Sequence, residues 1–215
     1  MNIYKIPACV GDSWERHSLK LILLSCLLCL STIGISQAFI GNLHSGLNLS
    51  QLSGDDLNGF RKLGLHAGAS VSYPWSNTQK QISLEFLYQQ KGSRQGDNAG
   101  DLQQISVNTL SIPLIYRWGE WYNEQIERHN FYVEIGATVN AINNVQSENT
   151  FFDNRTDEFK NFDWGLLAGI KISINRKFST TIRYERSVTD LFNDPALSLR
   201  GLQSFLFTLR LDYGL

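Results

Sequence analysis

The sequence predicts an all-β fold, an eight-stranded antiparallel up-and-down barrel that spans a membrane. Three observations predict it. The last fourteen residues, Leu202 to Leu215, alternate between an apolar and a polar face. Seven further segments repeat that alternation, and long and short polar connections follow one another down the chain. A strand with one apolar and one charged face needs an apolar medium on one side and polar surroundings on the other. Spanning β-barrels hide their apolar residues at every second position in this way, and single-chain bacterial barrels use an even number of strands.

The elements follow in chain order. The first strand is the weakest, around Ile40 to Leu49, with Leu47 and Leu49 apposed to Gly46 and Asn48. The second sets Leu63, Leu65, Ala67, Ala69, Val71 and Tyr73 against Gly64, His66, Gly68, Ser70 and Ser72. The third sets Ile82, Leu84, Phe86 and Tyr88 against Ser83, Glu85, Gln89 and Lys91. In the fourth, Leu110, Ile112, Leu114, Tyr116 and Trp118 oppose Thr109, Ser111, Pro113 and Arg117. The fifth runs from Phe131 to Ala141 with Glu134 and Thr138 on its polar side, and the sixth from Phe162 to Ile174 with Asp163 and Lys171. The seventh places Phe178, Ile182 and Tyr184 opposite Ser179, Thr181, Arg183 and Glu185. The eighth places Phe205, Phe207, Leu209, Leu211, Tyr213 and Leu215 opposite Ser204, Thr208, Arg210, Asp212 and Gly214. Strands of about ten residues match a tilted bilayer crossing. Trp121 to Arg128 is the one stretch with a helical period, too short for a separate domain.

Pro74 to Thr78 and Asn175 to Lys177 read as tight turns, whereas Gln51 to Lys62, Gly92 to Ile105, Asn143 to Asn161 and Ser187 to Gly201 read as long polar loops. That alternation matches short periplasmic turns and long outer loops, with both mature termini in the periplasm. The link from Gly119 to Asn130 is longer than a periplasmic turn requires. Aromatic residues gather near strand ends, among them Tyr73, Trp75, Tyr88, Tyr116, Trp118, Phe162, Trp164, Phe178, Tyr184 and Tyr213. Amphipathic rings favour the headgroup zone, so these form a girdle.

The N-terminal segment reads separately. Leu19 to Ile35 is the longest apolar run; Arg16, His17 and Lys20 precede it and Ser36-Gln37-Ala38 follows. A basic start, an apolar centre and a small-x-small exit make residues 1–38 a cleaved secretory signal peptide and residues 39–215 the barrel domain. The alternative is a transmembrane anchor, but no basic stop-transfer cluster follows. Cys9, Cys26 and Cys29 all fall within residues 1–38, so the mature chain would contain no disulfide, thiolate nucleophile or cysteine-ligated metal. With 215 residues and a formal net charge of −1, the chain carries no basic field for nucleic acid.

Several segments resemble the PorT-like outer-membrane β-barrel family of Bacteroidota. They are Gly46-Leu47-Asn48-Leu49-Ser50, Leu65 to Ala69, Glu85 to Gly92, Leu110-Ser111-Ile112-Pro113-Leu114, Phe162 to Gly169 and Arg183-Tyr184. The resemblance runs from about Gly41 to Tyr213, and the order and spacing of these short motifs carry it. It implies an eight-stranded barrel inserted into the outer membrane by the general assembly machinery, without enzymatic activity or cofactor. The founding member is associated with protein export across the outer membrane, so an envelope protein partner is among the roles implied. The chain departs from many barrels in ending on Leu215 rather than an aromatic residue.

The inward positions carry Glu85, Glu134, Asp163, Glu185 and Asp212 beside Lys91, Arg117, Lys171, Arg183 and Arg210. An eight-stranded barrel is only wide enough inside for side chains to fill, and an unpaired buried charge is costly, so these ten residues read as a paired polar plug. An ion path or a catalytic carboxylate is the functional alternative. An outer-membrane hydrolase would place Asp, His or Ser at the outer rim. His44, His66 and His129 do not fall in long loops, and no Gly-x-Ser-x-Gly elbow occurs. Asp55-Asp56 and Asp153 to Glu158 read as solvated loops, with weak calcium binding by the second as the alternative. Gly92 to Gly96 lacks phosphate-loop spacing. Phe151-Phe152 is the apolar pair an outer loop would expose. The sequence therefore predicts a monomeric barrel surrounded by outer-membrane lipid, with no metal or cofactor and no nucleic-acid partner. A soluble exported barrel of the lipocalin type, with the apolar faces inward and a small apolar ligand, is the second reading.

Overall fold

A computed structural model of the chain describes residues 39–53, 62–75, 79–96, 102–147, 160–191 and 203–215. Eight antiparallel strands close into a barrel, each bonded to its sequence neighbours and β1 to β8. The strands are β1 (Ile40–Ser53), β2 (Lys62–Trp75), β3 (Lys80–Gly96), β4 (Leu102–Asn123), β5 (Arg128–Ser147), β6 (Phe162–Ser173), β7 (Phe178–Ser187) and β8 (Gln203–Gly214). Pairing of Leu47 with Leu209 and of Leu43 with Tyr213 joins the two ends of the sheet. Where all eight strands pair, closure leaves no free strand edge among the described residues.

Burial follows the alternation. Leu47, Leu65, Phe86, Leu114, Ile135, Leu166, Ile182 and Leu209 point outward and are exposed, while the polar residues between them are buried. The apolar faces therefore do not line the interior, which contradicts the lipocalin reading. Polar groups are not the sole occupants of that interior. Leu87, Ile115, Tyr132, Leu167 and Leu206 also point inward and are buried.

Whereas β6 and β8 keep close to their predicted lengths, several strands exceed theirs, most of all β3, β4 and β5 with 17, 22 and 20 residues. Their extensions explain the corrections to the sequence reading. Gly119 to Asn130 is no loop, and Trp121 to Arg128 is no helix. The strands continue through both segments and turn over Glu124 to Glu127. Asn123 Oδ1 accepts the Gln125 backbone N–H at 3.0 Å, a local bond that Asn and Asp supply in tight turns. Likewise Gly92 to Gly96 and Leu102 to Ile105 lie in strands rather than in the predicted loop. Gly92 has a φ of 147°, and a Cβ there would lie 2.0 Å from the Ile105 carbonyl oxygen, so glycine alone fits.

On β5 the alternation fails at Ile142 because the register shifts there. Asn108 pairs with Asn144 and Thr109 with Ile142, which leaves Asn143 as a bulge. The predicted strand end at Ala141 marks this bulge, and pairing continues to Ser147. The β3–β4 ladder skips between Leu84–Leu114 and Leu87–Ser111, around Pro113, which has no N–H to donate. At the opposite end Asn175 Oδ1 accepts the backbone N–H groups of Lys177 and Phe178, both at 2.8 Å, and closes the tight β6–β7 turn.

Aromatic rings form two bands. Tyr73, Trp75, Trp118, Phe178 and Tyr213 mark the short-turn end, with the Phe178 and Tyr213 rings 5.2 Å apart. Phe162, Trp164, Tyr184 and Phe207 mark the long-loop end. The signal-peptide assignment for residues 1–38, Asp55-Asp56, Phe151-Phe152 and Asp153 to Glu158 lie outside the described residues.

Candidate functional site

The lumen holds all ten of the charged residues singled out from the sequence, each buried. They fall into two groups. The larger centres on Glu85 of β3, whose side chain has no exposure. Arg117 Nη2 donates to its Oε1 at 2.7 Å, Arg183 Nη1 to its Oε2 at 2.9 Å and Arg210 Nη1 to its Oε2 at 2.8 Å. Glu134 of β5 accepts from Arg117 Nε at 2.9 Å and from Arg183 Nε at 2.7 Å. Two glutamates are thus interleaved with three arginines. The planar guanidinium lets one arginine meet two carboxylates through separate nitrogens in a fixed geometry, where lysine would offer a single point charge.

The group continues toward the short-turn end. Asp212 of β8 lies 2.6 Å from His44 Nδ1 of β1 and 3.4 Å from Lys171 Nζ of β6. It also accepts from Thr181 Oγ1 at 2.7 Å. Arg210 Nε stands 2.9 Å from Asp212 Oδ1, without the alignment of a hydrogen bond. Arg117 Nη1 further reaches the hydroxyls of Ser72 on β2 and Ser83 on β3. Every strand therefore contributes a side chain to one connected cluster. Alternation explains how: an inward polar residue recurs every second position, so eight strands at one depth supply a full ring of them.

The second group lies nearer the long-loop end. Lys91 Nζ meets Glu185 Oε1 at 2.6 Å, and Asn140 Nδ2 bridges Glu185 and Asp163 at 3.1 and 3.2 Å. The described partners of Asp163 are neutral: Asn140, Ser187 Oγ at 2.6 Å and Thr189 Oγ1 at 2.8 Å. Among the described residues Asp163 is the exception to the expectation that each lumen charge is ion-paired. Hydroxyls and an amide supply its hydrogen bonds instead.

Beyond this group the interior turns apolar. Leu52, Ile105, Val107 and Leu191 are packed together with Ile142 and Val145 against them. The sequence reading missed this cluster, because Leu52, Ile105 and Val107 fall on strand extensions beyond the predicted strands and Leu191 lies past the end of β7. It also missed two lumen histidines. His44 joins Asp212, and His66, 1% exposed, finds no partner among the described residues for either ring nitrogen. Their signal was present, since both occupy polar-face positions of β1 and β2.

Among the described residues no cluster of three or more His, Cys, Asp or Glu is arranged to hold a metal ion. No curated protein matches the chain. Among solved structures, the chain is similar to Neisserial surface protein A, with 8% identity and a TM-score of 0.48 over 82% of this chain and 97% of that one. It is similar to Ail, the attachment invasion locus protein of Yersinia pestis, with 13% identity and a TM-score of 0.47 over 83% and 100% of the two chains. For OprG of Pseudomonas aeruginosa the values are 9% and 0.46 over 83% and 96%. The family of outer membrane protein β-barrel domains matches residues 36–193, well over half of the sequence. With that match and a closed eight-stranded barrel whose apolar faces point outward, the chain belongs to the outer membrane protein β-barrel domain family and resides in the cell outer membrane.

Proposed function

We propose that the protein is a monomeric, non-enzymatic outer-membrane barrel with a closed lumen, which works as a scaffold for its long-loop end. The observation that carries this reading is Glu85, gripped by three arginines from three other strands at 2.7 to 2.9 Å. An ion crossing the barrel would have to part these contacts in a space already filled by side chains. The apolar cluster of Leu52, Ile105, Val107 and Leu191 lies as a second barrier on the same axis.

Residues 1–38 act as a cleaved signal peptide in this reading, and the barrel assembly machinery inserts the mature chain with both termini in the periplasm. Binding then falls to the long loops, because loops on a rigid scaffold commonly carry it. The resemblance to PorT-like barrels favours service as an accessory to an envelope or secretion complex. The test is electrical. The purified mature protein, with an intact mass that begins at Phe39, shows no steady unit currents in a planar bilayer. Large regular unit currents overturn the closed lumen.

A further inference from the structure

Three outward tiers coincide at the long-loop end of β7, β8 and β1. Ile182 pairs with Leu209 and Leu47 with Leu209, which gives an aliphatic tier. Above it Tyr184 pairs with Phe207, their ring centroids 4.9 Å apart, beside Leu49. Above that Arg186 pairs with Phe205, and Gln51 flanks the same ring. The Arg186 guanidinium lies 5.2 Å over the Phe205 centroid and donates to Gln203 Oε1 at 3.3 Å. Gln51, Ser53, Tyr184, Phe205 and Phe207 line a cleft of about 530 Å³ on this surface.

Going up this face, the outward side chains pass from aliphatic to aromatic to cation and amide, as a lipid passes from acyl chain to glycerol to phosphate. The depth agrees on a separate strand. On β4 the outward row changes from Leu110 to Asn108, and on β1 from Leu49 to Gln51. Arg186 therefore sits where the apolar band ends, at headgroup level. Among the described residues no carboxylate pairs with Arg186, so most of its N–H donors stay available to a phosphate.

We propose that this cleft, together with Arg186 over the Phe205 ring that lines it, is a binding site for one anionic membrane lipid, its phosphate on Arg186 with Gln51 and Gln203 beside it, its acyl chains along Tyr184 and Phe207 toward Leu209. The closed lumen is not required for it. The test uses the full barrel in detergent, scored for folding by its heat-modifiable gel shift, with native mass spectrometry as the readout. Dioleoyl phosphatidylglycerol and dioleoylglycerol, which lacks the phosphate, are the two probes. The wild-type protein retains the phospholipid roughly tenfold better, the loss of one charge-assisted contact being worth about that factor. R186Q removes the preference, whereas R94Q, which deletes an exposed cation of β3, leaves it intact. Equal retention of the two probes by the wild-type protein overturns the site without reference to any variant. So does an equal loss of preference in R94Q and R186Q.

Discussion

Two stretches of one cylinder are built in opposite senses. Between the aromatic bands β4 shows Leu110, Ile112 and Leu114 outward, with Thr109, Ser111 and Arg117 inside. A few residues further toward the long loops, the same strand holds Ile105 and Val107 inside while Gln104, Ser106 and Asn108 face out. β1 inverts likewise, from outward Leu47 and Leu49 to inward Leu52 with Gln51 and Ser53 outside. The backbone geometry is common to both; the solvent is not. Lipid makes apolar side chains cheap outside and leaves the interior to charges that must satisfy one another, whereas water restores the ordinary arrangement with its apolar core. The point of inversion marks the edge of the membrane on the protein itself.

The charged half depends on pairing, so deleting a single member gives the largest effect. E85Q leaves Arg117, Arg183 and Arg210 around a neutral group, with Glu134 and Asp212 as their remaining acids nearby. Breaking a buried pair by removing one partner costs roughly 3–5 kcal/mol. The expected result is a loss of that size in the urea unfolding free energy of the lipid-inserted barrel. In E85Q/R210M one buried cation is removed along with the acid, so the double variant is expected to be more stable than E85Q alone. A double variant whose loss equals the sum of the two single losses would show that these residues do not act as one network.

The membrane edge can be probed by placing a charge on either side of it. Ile112 and Asn108 are both outward residues of β4, four apart in sequence. Arg on a lipid-facing site near the midplane costs about 2–4 kcal/mol and near the interface about 0–1 kcal/mol. I112R is therefore expected to lower the unfolding free energy by a few kcal/mol and N108R by little. Equal losses would move the membrane boundary away from the inversion.

The same inversion explains what the sequence could reveal. Within the lipid band, period-two alternation exposes strand order, facing and the lumen charges, eight of which lie between outward apolar neighbours, while Lys91 and Glu185 keep the same phase at the end of their strands' alternating runs. Past Leu110 and Ala141 the phase flips, and the bulge at Asn143 breaks it further, so strand reads as polar loop and Ile105, Val107 and Leu52 escape notice as core. Inward Leu87, Ile115 and Leu167 are lost for a related reason: flanked by apolar outward residues, they blur the alternation rather than mark it. The partners of the charges were beyond reach as well. Which arginine meets Glu85 depends on shear and register around the closed sheet, and pattern on a single strand carries neither.

The smallest effect comes from one methylene removed from each of the two environments. Ile105 has no exposure and packs among Leu52, Val107 and Leu191. Ile135, at 56% exposure, faces outward from β5 in the apolar band. Ile→Val at a packed core position costs about 0.5–1.5 kcal/mol, because the neighbours only partly close the gap. Mobile acyl chains refill a gap that a rigid core cannot. I105V is therefore expected to destabilise the folded barrel by that amount, and I135V by less than about 0.5 kcal/mol, the range of a substitution outside any packed core. Equal unfolding midpoints for the two variants would mean that the apolar cluster at the long-loop end is as loosely filled as lipid, and so does not act as the core of a water-exposed extension.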